Sequence, residues 1–106
     1  MCVQVMALLT VNEDAPDSLA EYFRVTQPLL DKASARIVQR FAINEVVVGR
    51  RPARMLVLVE YPTLEALDLV FGSPEYERVK PVRDRAFLSY HIAVVENALS
   101  GEANPA

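Results

Sequence analysis

Among the residues that could do chemistry, His91 is the only histidine, and an imidazole is the side chain best suited to exchange a proton near neutral pH. In a buried setting it would serve as a general base. The plainer alternative is a half-buried histidine with one ring nitrogen hydrogen-bonded, and no second ligand stands at metal spacing beside it. Glu60 interrupts an otherwise apolar run, Met55 to Tyr61, where a carboxylate is costly unless it meets a cation or a set of donors. Arg83 is the partner expected for it, and a structural Arg–carboxylate pair is the commoner outcome than a catalytic carboxylate. Tyr76 and Tyr90 are phenols able to orient an oxyanion, although packing with a hydrogen-bonded hydroxyl is the usual fate of a buried tyrosine. Together Glu60, Tyr76, Arg83 and Tyr90 form the candidate ligand-binding set, with His91 the candidate catalytic residue. Gln4 and Arg40 are further polar interruptions of apolar strands. Ser73 reads as a helix cap rather than a nucleophile, because no His or acid accompanies it at motif spacing. Arg50 and Arg51 read as a solvated turn that could meet an anion. No phosphate-binding glycine loop, Cys–His metal spacing or nucleophile elbow occurs, so neither a metal nor a cofactor is expected.

These residues must be positioned by a small set of elements. Val3 to Val11 is apolar on both parities, the pattern of a strand covered on both faces. Asn12 to Asp17 supplies turn chemistry, with Asp14 and Asp17 expected to accept from free helical N–H groups and Pro16 in the first turn. The spacing of Leu19, Phe23, Thr26, Leu30 and Ala33 predicts a helix to about Ser34 with that stripe facing a sheet. Pro28 inside it predicts a kink or a break. Arg36 to Ala42 and Glu45 to Val48 read as one long strand with a bulge near Ile43 and Asn44. Gly49 to Pro52 turns the chain back into Met55 to Tyr61, forming a hairpin. Thr63 caps a helix that Gly72 closes. Ser73-Pro74-Glu75 starts a short second helix, interrupted by Pro81. Leu88 to Val95 is the last strand.

The order β, α, β, β, α, β predicts an α+β ferredoxin-like fold, with two helices on one face of a four-stranded antiparallel sheet. Residues 1–99 make one domain, and 100–106 a flexible tail. Two helices cover one sheet face, yet the strands are apolar on both. A second copy of the chain, packed sheet to sheet, is the economical cover, which predicts a homodimer.

Composition narrows the partners. The 106 residues carry 11 Lys plus Arg against 14 Asp plus Glu, a formal net charge of −3, so nucleic acid is not an expected ligand. Cys2 is the one cysteine and can form no disulfide within the chain, which fits a reducing, cytoplasmic setting. The strictly apolar runs Val5 to Leu9 and Met55 to Val59 are far shorter than a spanning helix, and no cationic leader precedes Val3, so membrane insertion and secretion are not expected.

Ser73-Pro74-Glu75-Tyr76 followed by Lys80-Pro81-Val82-Arg83 resembles the bacterial domain of unknown function 1330 family. The run Val59-Glu60-Tyr61-Pro62-Thr63-Leu64-Glu65-Ala66 is similar to that family's strand, acid, aromatic, proline and helix start, and Tyr22 to Leu30 to its first helix. The resemblance spans nearly the whole chain and implies the dimeric α+β barrel superfamily, some of whose members bind haem, a ligand that His91 could hold axially. It departs from the family at Ala33-Ser34-Ala35, where a glycine pair is usual, and at Val48, where an acidic residue often precedes the hairpin glycine. A family site that used this acid is altered here. The family's biochemical function is not established. The reading that follows is a dimer binding a small organic metabolite between helices and sheet. The alternatives are a cofactor-free monooxygenase or isomerase acting on an aromatic or lactone-like metabolite, with His91 as base, and a structural or partner-binding dimer with no ligand site.

Overall fold

The computed structural model describes residues 2–96, and the tail expected over Ser100 to Ala106 lies outside them. The elements are β1 (Val3–Val11), α1 (Pro16–Lys32), β2 (Arg36–Ala42), β3 (Met55–Tyr61), α2 (Leu64–Phe71), α3 (Pro74–Ala86) and β4 (Phe87–Val95). The sheet runs β2-β3-β1-β4, every neighbouring pair antiparallel. This is the ferredoxin-like βαββαβ arrangement, with its second helical segment divided into α2 and α3.

Strand register divides the side chains between two faces. Val5 stands opposite Val59 and Ala7 opposite Val57; these four share a face with Tyr61, Tyr90 and Ile92, and the helices pack on it. On the other face Leu8 is flanked by Leu56 and His91, and Met6 by Leu58 and Ala93. The alternation is that of a pleated strand.

The caps are local and specific. Thr63 Oγ1 accepts from the Ala66 amide at 3.1 Å. Ser73 Oγ accepts from the Tyr76 amide at 3.1 Å and donates to the Val70 carbonyl at 2.7 Å, so one hydroxyl joins the end of α2 to the start of α3. At α1 the expected aspartate caps give way to a different device. Ala15 occupies the cap position without a side-chain bond, while the Asn12 carboxamide accepts from the Asp14 amide at 3.1 Å, an Asx turn that aims the chain into Pro16.

Three further expectations are corrected. Neither proline breaks its helix: α1 runs unbroken through Pro28 and α3 through Pro81. Both prolines and the residues four before them, Arg24 and Glu77, are exposed, so water can serve the carbonyls that lose an amide partner. The buried stripe of α1 is Tyr22, Thr26 and Leu29, continuing to Ala33, with Phe23 49% exposed. Finally, Glu45 to Val48 does not extend the hairpin. Ala42 already pairs with Met55, the first residue of β3, and the bulge falls between Ile37 and Gln39 instead. Val47 and Val48 stand out in the connection, about nine-tenths exposed. That connection is closed by Ile43 N–H to the Arg54 carbonyl at 2.8 Å and by the Arg51 guanidinium, which donates to the carbonyls of Ile43 and Asn44.

Candidate functional site

The chain has four tyrosines, and all of them gather between the helices and the sheet. Tyr22 lies in the buried stripe of α1. Tyr76 is in the first turn of α3, its amide held by the Ser73 cap. Seven residues separate it from Arg83 on the same helix, two turns that return the side chain to one face. Tyr90 comes from the helix-facing side of β4, and Tyr61 ends β3 on that same side.

Three of the hydroxyls meet. Tyr22 and Tyr76 oxygens are 3.2 Å apart, Tyr76 donates to Tyr90 at 3.0 Å, and Tyr90 and Tyr22 close the ring with a short hydrogen bond. Each phenol can therefore donate once and accept once. Arg83 adds a cation: its Nη1 donates to the Tyr76 hydroxyl at 3.3 Å, and its Cζ lies 5.2 Å from the Tyr90 ring centre and 5.8 Å from that of Tyr76, within cation–π range. Phe87 packs edge-on against Tyr22 at 5.3 Å, and Phe71 against Tyr76 at 5.0 Å.

Burial sets the protonation state. It pushes the Tyr22 hydroxyl far above the ordinary phenol range, with Tyr90 and Tyr76 adding to the effect. Tyr90 is raised as well, first by burial and then by Tyr76, against smaller opposing pulls from the Tyr22 hydrogen bond and then from Arg83. Tyr61 is pushed up to about 12 by burial and then by Tyr76. For Arg83 burial opposes the charge, but the Tyr76 and Asp84 oxygens outweigh it and the guanidinium's pKa is raised. With Tyr22 and Tyr90 held neutral, the cluster is a ring of hydroxyls bonded to one another beside a fixed cation, Arg83. It can bind or stabilise an oxyanion; it is poorly suited to remove a proton.

Two hollows adjoin this cluster, the outer one lined by Tyr76 and Arg83 and the inner one by Tyr22, with Tyr90 between them. An outer cleft of about 440 Å³ is lined by Tyr76, Arg83, Asp84, Ser89 and Tyr90 among others. An inner cavity of about 180 Å³ between helices and sheet is lined by Val5, Val57, Val59, Tyr22, Tyr90 and Ile92, with further apolar neighbours. Tyr90, Phe71, Phe87 and Ile92 border both.

The candidate residues therefore separate. Tyr76, Arg83 and Tyr90 come together. Glu60 does not join them: it pairs with Arg36 at 2.6 Å, its cross-strand neighbour on the face away from the helices, which corrects the expected link to Arg83. His91 is exposed on that same outer face, opposite Leu8, because residues 90 and 91 of a strand point opposite ways. Gln4 stands opposite Glu60, on the outer face; Arg40 borders the inner cavity. Tyr22, which no feature of the sequence singles out, joins the cluster. The stripe through Phe23 has the same period as the one through Tyr22, and the composition of the helix does not decide between them. No group of His, Cys, Asp or Glu that could hold a metal, and no helix long and apolar enough to cross a membrane, occurs among the described residues.

The model for Domain of unknown function (DUF1330) matches residues 4–98. No curated protein matches the chain. Among solved structures, the RPA0582 protein of unknown function from Rhodopseudomonas palustris is similar with a TM-score of 0.76 and 15% identity over 95% of this chain and 84% of that one. A dimeric ferredoxin-like protein of unknown function from Jannaschia sp. CCS1 gives 0.62 and 13% over 92% and 100%. A candidate antibiotic biosynthesis monooxygenase from Caulobacter crescentus CB15 gives 0.58 and 12% over 92% and 90%. At these identities the likeness is one of fold.

Proposed function

The chain belongs to the DUF1330 family, and from that premise we propose that it works as a cytoplasmic homodimer that binds a small organic molecule between its helices and its sheet. The inner cavity carries this reading, being apolar over most of its wall and bordered at one side by the tyrosines, the composition usual for small-molecule sites. The dimer is supported by the outer sheet face, where Met6, Leu8, Leu56 and Leu58 form a half-exposed apolar row with Phe41 beside Leu56. A face of this kind is seldom left to water. The similar protein from Jannaschia is itself dimeric. Cys2, free and exposed, suits a reducing compartment.

Binding is favoured over catalysis because the one histidine stands on the outer face, across the sheet from the tyrosines. Two measurements test the proposal. Sedimentation equilibrium at micromolar concentration should give a dimer, and a monomer would remove that half of it. Titration with toluene, followed by methyl NMR, should shift the methyls of Val5, Val57, Val59 and Ile92. Unmoved methyls would mean a cavity closed to ligands, and the structural-dimer alternative would replace the binding one.

A further inference from the structure

Arg83 is a half-buried cation, its side chain 23% exposed, with little to balance it. Its carboxylate partner among the described residues is Asp84, the next residue in the chain, itself 69% exposed. The contacts are 3.3 Å from Nε and 3.2 Å from Nη2, longer than the roughly 2.7–2.9 Å of a strong charge-assisted bond. A guanidinium has about five N–H groups, and the bonds to Asp84 and Tyr76 engage three. The three hydroxyls beside it spend their O–H donors on one another, so the donors left for a further acceptor are the two remaining guanidinium N–H groups. What would complete the site is an oxygen bearing negative charge.

We propose that Arg83 with Tyr22, Tyr76 and Tyr90 receives the carboxylate of a small apolar acid whose ring or short branched chain fills the inner cavity. This rests on the binding reading above and adds the chemical class of the ligand. The size follows from the cavity: about 180 Å³ holds a single ring, since an apolar cavity of roughly 150 Å³ takes up benzene. The charge follows from the neighbours. Arg40 borders the cavity from β2, but at the tyrosines the cation is Arg83, and with Asp84 beside it it balances a monoanion, whereas a dianion such as a phosphate monoester would meet the Asp84 carboxylate with its second charge unmatched there.

Matched single-ring probes test this. Affinities of the purified protein for benzoate, benzyl alcohol and phenyl phosphate are measured by the same methyl NMR titration. Benzoate should bind tenfold or more tightly than either of the others. Arg83→Gln should bring the ratio of benzoate to benzyl alcohol affinity close to one, and Tyr90→Phe, which keeps the ring and its packing, should lower that ratio severalfold. If benzyl alcohol binds as well as benzoate, the acid subsite is refuted while the cavity reading stands. If phenyl phosphate binds best, the monoanion assignment is overturned. If none of the three binds, the cavity reading falls and the subsite with it.

Discussion

At the scale of single residues, Tyr22, Tyr61 and Tyr90 have a consequence for alkaline stability. A phenol in an unfolded chain ionises near pH 10, to a rough value, whereas Tyr61 is held at about 12 by burial and Tyr22 and Tyr90 are also raised. The fold favours the protonated form, so above the unfolded value the unfolded chain carries fewer protons than the native one. The stability from these groups is complete below about pH 10 and is lost as pH rises through the folded values. We expect tyrosinate absorbance to appear together with loss of the near-ultraviolet circular dichroism, which in a chain with no tryptophan comes largely from these rings. Free ionisation of three tyrosines near pH 10 with the dichroism intact would contradict it. The residues themselves were partly legible. Tyr90 stands out as a polar group in an apolar strand, whereas Tyr76 and Arg83 sit among the charged residues of α3, and the structure puts all three within reach of one another. Glu60 and His91 stand out equally, and only strand register sends them to the other face.

At the scale of elements, α1 ends in a complete Schellman turn. The Ala35 amide donates to the Leu30 carbonyl at 3.0 Å and the Ser34 amide to that of Asp31 at 3.1 Å, with Ser34 at φ 57°. That left-handed conformation is strained for a residue with a Cβ, and glycine is the usual occupant. Ser34→Gly should raise the urea midpoint with an unchanged slope, a gain of about 0.5–1 kcal/mol. A lowered midpoint would show that the serine side chain contributes more than its backbone strain costs. The sequence displays most element starts, because caps such as Thr63 and Ser73 act within three residues. It does not display whether Pro28 or Pro81 breaks a helix, since that depends on which side faces water. Nor does it show that residues 45–48 lie beyond the reach of β3, a matter of where the partner strand begins.

At the scale of the whole molecule, the two-faced strands carry the information. Apolar residues of both parities in β1 and β3 call for cover on both sides, and the helices supply one. If a second copy supplies the other, a charge at the centre of the outer face should undo it. Leu8→Lys should yield a folded monomer by light scattering and circular dichroism, weakening association by about thirtyfold or more, as the loss of roughly 2 kcal/mol at an interface centre implies. An unchanged dimer would place the interface elsewhere. The position of β1 in the middle of the sheet also governs how the molecule is assembled in time. β1 is made before the other three strands, yet one of its two neighbours is β4, and the Ser89 to Thr10 hydrogen bond joins residues 79 apart. Closing so long a loop is slow compared with forming local turns, so during synthesis β1 can pair with β3 but keeps a bare edge until the last strand emerges. A chain released before Phe87 would carry that bare edge permanently and could seek its missing strand from another copy of itself.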